Sequence, residues 1–132
     1  MHISATIKNN NQQNDIIVST ENNKKELSIP AKPDGKGSSV NGGELLFLSL
    51  ATCFCNDVYR EAARRNISIE SIEVNVAGEV GNEGEPASNI YYEVHIQSDN
   101  SDEEINKLIN DVNKIAEIHN TLRKGIHVIL KT

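Results

Sequence analysis

Three segments near the N-terminus alternate between apolar and polar residues. HISATIK, DIIVST and KELSIPA each have the two-residue period of a half-buried strand. The polar run NNNQQN, at positions 9–14, separates the first two segments and predicts a turn. The first 32 residues therefore predict an antiparallel meander of three strands, and the Gly- and Ser-rich run that begins at Lys32 and ends at Gly43 predicts a loop.

The stretch at 42–65, GGELLFLSLATCFCNDVYREAARR, predicts one long helix. Nearly every residue from Leu45 to Cys55 is apolar, so this helix needs cover on all sides. Asn41 and Glu44 have the spacing of a capping box at its start. Asn66 suits a left-handed residue at its end.

The second half of the chain repeats the alternation in two longer segments. SIESIEVNVAGEV and NIYYEVHIQS predict a strand pair joined by the turn GNEGEPAS. An amphipathic helix is predicted over 101–118 with a capping box at Ser101 and Glu104, followed by a helical turn, HNTLRKG, and a last strand, IHVILK, at 126–131. This order of elements predicts a single α+β domain over residues 1–132.

Composition narrows the classes of function. The 132-residue chain has a net charge of −6 and no basic run, which argues against nucleic acid as a partner. No segment is long and apolar enough to predict a membrane span, and the first residues lack the apolar core of a secretory signal. With two cysteines, too few for a disulfide framework, we expect a cytoplasmic protein with reduced thiols. Its 37% hydrophobic residues include no Trp, so a partner chain is expected to cover the long helix.

Cys53 and Cys55 are the candidate reactive residues, and they point in different directions. Each helical residue advances about 100°, so the two side chains lie about 200° apart and cannot form an intrahelical disulfide. Cys55 shares an apolar stripe with Val58 and is expected in the core, whereas Cys53 shares a polar stripe with Asp57 and Arg60. Cys53 is therefore the better candidate for a nucleophile, although the residues alone leave open that both thiols are structural.

The motifs, taken in order, resemble those of the OsmC/Ohr family, the osmotically inducible and organic hydroperoxide resistance proteins. The long helix carries Glu44-Leu45-Leu46 and then Ala51-Thr52-Cys53-Phe54, and the turn before the last strand reads His119-Asn120-Thr121-Leu122. The order of strands and helices is similar over essentially the whole chain.

This resemblance implies an OsmC-like fold: antiparallel sheet around a long buried central helix, in an intertwined, domain-swapped homodimer. It also implies a thiol-dependent peroxidase. A thiolate at the position of Cys53 attacks the O–O bond of an organic hydroperoxide and becomes a sulfenic acid, which a second cysteine and then an external dithiol reduce. A Glu and an Arg position the thiolate and the peroxide.

The chain departs from the family pattern at three positions. The family's second cysteine lies in a Cys-Pro pair that reads Ala116-Glu117 here. The family glutamate falls on Gly43, with Glu44 one residue away and suited to the helix cap. No Arg precedes Arg60, so a positive charge from the N-terminal part would have to come from a lysine: Lys8, Lys24, Lys25, Lys32 or Lys36.

With these departures, the resemblance implies a one-cysteine peroxidase in which Cys53 is the nucleophile, Glu44 is a weaker candidate, and an external thiol is the reductant. The alternative is an OsmC-like dimer without catalysis that binds a small molecule. We expect no cofactor and no metal, since the four histidines show no ligand spacing. His119 is expected to hold its turn or to cap a carbonyl.

Overall fold

The computed structural model describes residues 1–131, which form two compact units divided between Leu45 and Leu46. It has antiparallel sheets and three α-helices, a mixed α/β fold as the sequence predicts. The single-domain organisation stays a prediction.

The first unit is a three-stranded antiparallel sheet in the order β1-β2-β3. Its strands are β1 (Ile3–Asn10), β2 (Gln13–Thr20) and β3 (Asn23–Leu27), which confirms the predicted meander. The first hairpin has a two-residue loop, Asn11 and Gln12, with φ of +51° and +63°. Positive φ at both loop residues matches the right-handed twist of the flanking strands.

Helix α1 (Gly42–Arg64) begins with the predicted capping box. The Asn41 Oδ1 accepts from the Glu44 N–H at 2.8 Å, and the Glu44 Oε1 accepts from the Asn41 N–H at 2.9 Å. These two bonds satisfy donors that have no partner inside the helix. Asn66 follows the helix with a φ of +54°, as predicted for a left-handed terminating residue.

The second unit packs a β-hairpin and two further helices with α1. Strands β4 (Ser71–Glu79) and β5 (Ser88–Gln97) are antiparallel, and their half-buried side chains alternate with exposed ones. The helices are α2 (Asp102–Ile115) and α3 (Glu117–Lys124). The side chain of Ser101 caps α2 by accepting from the Glu104 N–H, which is one half of the predicted capping box. The Glu104 carboxylate accepts from the Asn100 side chain instead.

The core of this unit lies where α1 meets α2. Every member is at most 2% exposed, and the members are Phe54, Val58, Ala62, Leu108, Val112 and Ala116. One face of the hairpin closes the core with cross-strand pairs such as Ile72 with Ile96 and Val74 with Val94. Full burial of each large side chain contributes about 1.5–3 kcal/mol, so this cluster dominates the stability of the unit.

The helix predicted over 101–118 is interrupted at Ala116. This residue is extended, with φ −64° and ψ 109°, so α2 ends at Ile115 and α3 begins at Glu117. The break is tolerated because α3 supplies partners for the end of α2. The Asn120 side-chain amide donates to the Lys114 carbonyl at 3.0 Å, and the Arg123 guanidinium donates to the Asn113 carbonyl at 2.8 Å.

The predicted last strand at 126–131 is wrong for the described chain. Its alternation is present, but these residues pair with no described strand, and Val128 and Leu130 are 98% and 88% exposed. A strand requires a hydrogen-bonding neighbour. The alternating pattern therefore indicates a propensity of this segment to form a strand, but it does not indicate a neighbouring strand with which the segment could pair.

Within the described chain α1 is not covered on every side, so the predicted cover by a partner chain stays a prediction. The side of α1 that carries Leu48 and Tyr59 stays exposed, at 59% and 45%. The polar residues Asp57 and Glu61 lie on the buried side instead. Each is paired with an arginine three residues on, Arg60 or Arg64, which compensates the burial of charge.

Candidate functional site

Cys53 lies in the middle of α1, half-buried against the core cluster. Its Sγ is 3.8 Å from the Oδ2 of Asp57, one helical turn along. The backbone N–H of Ile118, in the first turn of α3, is placed to donate a hydrogen bond to the same sulfur. The thiol therefore faces both its own helix and the start of α3.

Burial is the main cause that raises the pKa of the Cys53 thiol. The Ile118 N–H opposes it by stabilising the thiolate, and the negative charges of Asp57 and Glu117 raise the pKa further. An unperturbed cysteine has a pKa of about 8.5, so these surroundings keep the thiol protonated at neutral pH.

Arg60, on the same helix as Cys53, is already paired with Asp57. The Arg60 Nη2 lies 2.9 Å from the Asp57 Oδ1, and the Asp57 side chain is only 5% exposed. Arg60 thus compensates the buried carboxylate, while Asp57 stands between the arginine and the sulfur. Arg60 thus provides an arginine on the polar side of α1, but its guanidinium contacts the Asp57 carboxylate and not the sulfur of Cys53.

Cys53, Asp57 and Glu117 are the one group within residues 1–131 whose donor atoms come as close as a metal site requires. The Cys53 sulfur and one carboxylate oxygen from each acid lie within 4.8 Å of one another. Asp57 is ion-paired with Arg60, and the charges of Asp57 and Glu117 add to the burial that raises the pKa of the Cys53 thiol. The expectation of no metal stays a prediction.

Cys55 lies outside the core cluster, contrary to the expectation from its stripe. It is half-buried and lines a shallow surface depression with Ala51, Thr52 and Val74. The prediction for Cys55 was wrong because it assumed that only the apolar residues of α1 face the core. The buried side of α1 includes the ion-paired acids Asp57 and Glu61, so the side that contacts the core lies nearer to Cys53 than the apolar stripe predicts. Both cysteines are free thiols.

Glu44 serves the helix cap through its bond with the Asn41 N–H at 2.9 Å. This contact agrees with the reading of Glu44 as a cap. A role for it near a thiol stays a prediction.

His119 is the residue that the sequence reasoning misjudged most. It is 5% exposed, and neither ring nitrogen has a hydrogen-bond partner among the described residues. Its ring packs edge-on against Tyr92, with centroids 4.7 Å apart, and tilted against Phe54 at 5.7 Å. Burial lowers the pKa of His119, and the nearby Arg123 lowers it further, so the ring is neutral.

The turn-holding role expected of His119 belongs to its neighbours Asn120 and Arg123, which bond the carbonyls of α2. A signal for the burial of His119 was present in the sequence. Val112, Ala116 and His119 follow one another at helical spacings of four and three residues, so the histidine continues the apolar stripe of α2.

A cavity of about 280 Å³ adjoins His119. Its wall includes Leu50 of α1, Tyr92 of β5, and Arg123 of α3. The Tyr92 hydroxyl donates to the Asn113 side chain, and the Arg123 guanidinium donates to the same oxygen at 2.6 Å. Nothing in the local pattern marked Arg123 beyond a positive charge near the end of a helix.

Replacing His119 with Phe is expected to raise the free energy of unfolding. The change removes two buried nitrogens without partners, each of which costs about 1–3 kcal/mol, and keeps an aromatic ring in the same place. The gain should be larger at about pH 5.5 than at about pH 7.5, because the unfolded histidine takes up a proton near its ordinary pKa of about 6.5 while the folded one does not. Denaturant unfolding at both pH values and one fixed protein concentration measures this.

His95→Phe is the matched control, since His95 is exposed on β5 and its replacement should change stability by less than about 0.5 kcal/mol. A loss of stability in His119→Phe at both pH values would contradict the assignment of His119 as a buried, unpartnered group.

Within residues 1–131, no helix is long and apolar enough to cross a bilayer.

Comparison with known proteins gives a family match and similar folds. Residues 35–131 match the family model described as OsmC-like protein. A hydroperoxide reductase from Mycoplasma genitalium is 29% identical over 103 residues, which is 74% of this chain and 72% of that protein.

Solved structures share the fold. The chain is similar to an OsmC-like protein from Mycoplasma pneumoniae, with a TM-score of 0.69, 24% identity, and 96% of this chain and 89% of that one covered. It is also similar to an organic hydroperoxide resistance protein of Bacillus subtilis, with a TM-score of 0.56, 19% identity, and coverage of 99% and 97%. Since the family model spans well over half of its residues, the chain belongs to the OsmC-like protein family.

Proposed function

We propose that this OsmC-like protein is a thiol-dependent peroxidase that reduces organic hydroperoxides through Cys53. The observation that carries the proposal is the position of the Cys53 sulfur, against the first turn of α3, where the Ile118 N–H stabilises a thiolate. The names of its relatives point the same way: a hydroperoxide reductase and organic hydroperoxide resistance proteins.

In the proposed reaction the Cys53 thiolate attacks one oxygen of the hydroperoxide. The S–O bond forms as the O–O bond breaks, and the leaving alkoxide takes a proton to become an alcohol. Cys53 is then a sulfenic acid. One external thiol displaces water from it to give a mixed disulfide, and a second external thiol releases the reduced cysteine as the external disulfide forms.

The external thiol is needed because the described chain offers Cys53 no internal partner. Ala116, at the junction that leads to Ile118, is fully buried and has no thiol. Cys55 lies on another side of α1, in the depression near Val74. These positions support a one-cysteine mechanism without a cofactor, in a cytoplasmic protein where small reduced thiols are abundant.

Activation of the thiol requires a cation that is free to face the sulfur. Asp57 and Glu117 raise the pKa of Cys53, and Arg60 is bonded to Asp57. We propose that a second copy of the chain supplies this charge in a domain-swapped homodimer.

Exposed apolar residues support such a dimer. Leu48 and Tyr59 lie on the uncovered side of α1, and residues 126–130 present a further row of apolar side chains. Exposed apolar surface of this extent, on a helix and on an extended segment, is typical of an interface between chains.

A second candidate is a binding module without catalysis. The raised pKa of Cys53 favours it, because a protonated thiol is a poor nucleophile. In that case the protein keeps the fold and a cavity, and the thiol is structural.

The peroxidase proposal predicts rapid oxidation confined to Cys53. Reduced protein treated with one equivalent of cumene hydroperoxide should form a sulfenic acid at that residue, read by intact mass and trapping with dimedone. Cys55→Ser, the matched control, should behave like the unmodified protein, and Cys53→Ser should not react. Oxidation of Cys53 no faster than that of a small free thiol would refute the peroxidase and favour the binding module.

Asp57→Asn is expected to lower the pKa of Cys53, because it removes a negative charge and an acceptor beside the thiol and frees Arg60. Alkylation of Cys53 by iodoacetamide across a range of pH gives the pKa directly. Asp111→Asn is the control, since Asp111 pairs with Arg65 and Lys107 on another part of the surface. An unchanged or higher pKa in Asp57→Asn would show that Asp57 does not oppose the thiolate.

The dimer proposal predicts a sedimenting species of twice the 14.5 kDa of one chain. Leu48→Asp should shift the protein toward monomer or lower its stability, because it places a charge in the proposed interface. Asn110→Asp, an exposed change on α2, should leave the dimer intact. A stable monomer of the unmodified protein at micromolar concentration would rule out this interface.

A further inference from the structure

The cavity beside His119 is built from parts that the proposed thiol chemistry does not use. It has a volume of about 280 Å³ and is open to solvent on one side. It is lined by residues of α1, β5 and α3 and by Ala87 just before β5, and Cys53 is not among its lining residues. Ligand cavities for drug-sized molecules run from about 300 to 1,000 Å³, so this one suits a smaller molecule.

One wall of the cavity carries an unsatisfied polar group. His119 is 5% exposed, and both of its ring nitrogens lack a hydrogen-bond partner among the described residues. A neutral imidazole has one donor and one acceptor nitrogen. Buried polar groups are almost always paired, so this ring calls for a partner in the cavity that it lines.

Arg123 provides a fixed positive charge at the same cavity. Its guanidinium is held by the Asn113 carbonyl at 2.8 Å, the Asn113 side-chain oxygen at 2.6 Å and the Asn120 side-chain oxygen at 3.0 Å. Burial raises the pKa of Tyr92, and the charge of Arg123 partly opposes this. Burial lowers the pKa of His119, and the charge of Arg123 lowers it further. The chain thus orients a planar donor group whose geometry matches a carboxylate.

Apolar side chains line much of the remaining wall, which also includes the uncharged polar residues Ser88 and Asn89. Leu50, Ile90 and Leu122 line it, and no Asp or Glu is among its described lining residues. A ligand that fits has a short apolar body for these side chains and one anionic group for Arg123.

We propose that this cavity binds a short-chain aliphatic monocarboxylate. Its carboxylate accepts hydrogen bonds from Arg123 and from the donor nitrogen of His119, and its hydrocarbon chain packs on Leu50, Ile90 and Leu122. The His119 ring is held in place by its packing against Tyr92 and Phe54. The site requires no reaction at Cys53 and does not rest on the proposed peroxidase.

Hexanoate is the probe for this site, and Cys53→Ser is the protein, so that the result is independent of thiol oxidation. Titration is followed by NMR at the carbon-bound protons of the His119 imidazole. We expect saturable shifts of these signals, and a much weaker response with hexanamide, which matches hexanoate in shape but has no charge.

Two variants at the site test the assigned contacts. Arg123→Gln should weaken hexanoate binding roughly tenfold or more, because it removes a charge-assisted bidentate contact. Arg65→Gln, an arginine that pairs with Asp111 away from the cavity, is the matched control and should bind as before. His119→Phe, which is expected to be more stable than the unmodified protein, should bind at least a few-fold more weakly, so its loss of binding cannot come from unfolding.

The proposal is overturned if hexanoate leaves the His119 signals unmoved at millimolar concentration. Equal binding by Arg123→Gln and Arg65→Gln, or by hexanoate and hexanamide, would overturn it too, since either result removes the carboxylate–guanidinium contact. None of these outcomes depends on whether Cys53 reacts with a peroxide.

Discussion

A row of side chains on α1 packs against a row on the α2 side, and this contact determines how the rest of the second unit is arranged. Phe54, Val58 and Ala62 on α1, and Leu108, Val112 and Ala116 on the α2 side, are each spaced by four residues and are all buried. Rows with this spacing form the ridges that interdigitate when helices pack. Because the α2 row ends at Ala116, where the backbone becomes extended, the chain turns there and brings α3 back onto α1. Ile118 then reaches Cys53, and His119 reaches Phe54.

The surroundings of Cys53 combine opposing influences. A backbone N–H favours the thiolate, while burial and two carboxylates favour the thiol, and the latter prevail in the described chain. The same helix buries Asp57 and Glu61, so its arginines are engaged in compensating acids. Arg60 therefore compensates the charge of Asp57, while the charge of Glu117 adds to the causes that keep the thiol protonated.

The sequence predicted most elements where local chemistry specifies them. The structure confirms the capping box at Asn41, the Ser101 N-cap and the left-handed Asn66. It also confirms the N-terminal meander and the later strand pair, and all of these follow from short-range spacing. Periodicity could not tell that Asp57 and Glu61 face inward, because burial of a charge depends on a partner such as Arg60. It also could not tell that α2 stops before Ala116, where side chains from the following helix satisfy the free carbonyls.

The candidate site was predictable only in part for the same reason. Cys53 was identified, but by a polar stripe that turned out to lie partly inside the core. His119 and Arg123 acquire their surroundings from α1 and β5, which are distant in sequence. Neighbours that are distant in sequence cannot be predicted from the local pattern of apolar and polar residues. The helical spacing between Val112 and His119 is the exception.

The exposed segment at 126–130 makes a newly synthesised chain prone to aggregation. It is apolar and rich in β-branched residues, and it is exposed without a strand beside it. Segments of this kind template intermolecular cross-β pairing. Lys124 and Lys131 bracket it with positive charge, an arrangement that slows aggregation of an unavoidable hydrophobic strand. While this segment is exposed, self-association of newly made chains competes with folding. The charges of these two lysines make self-association slower.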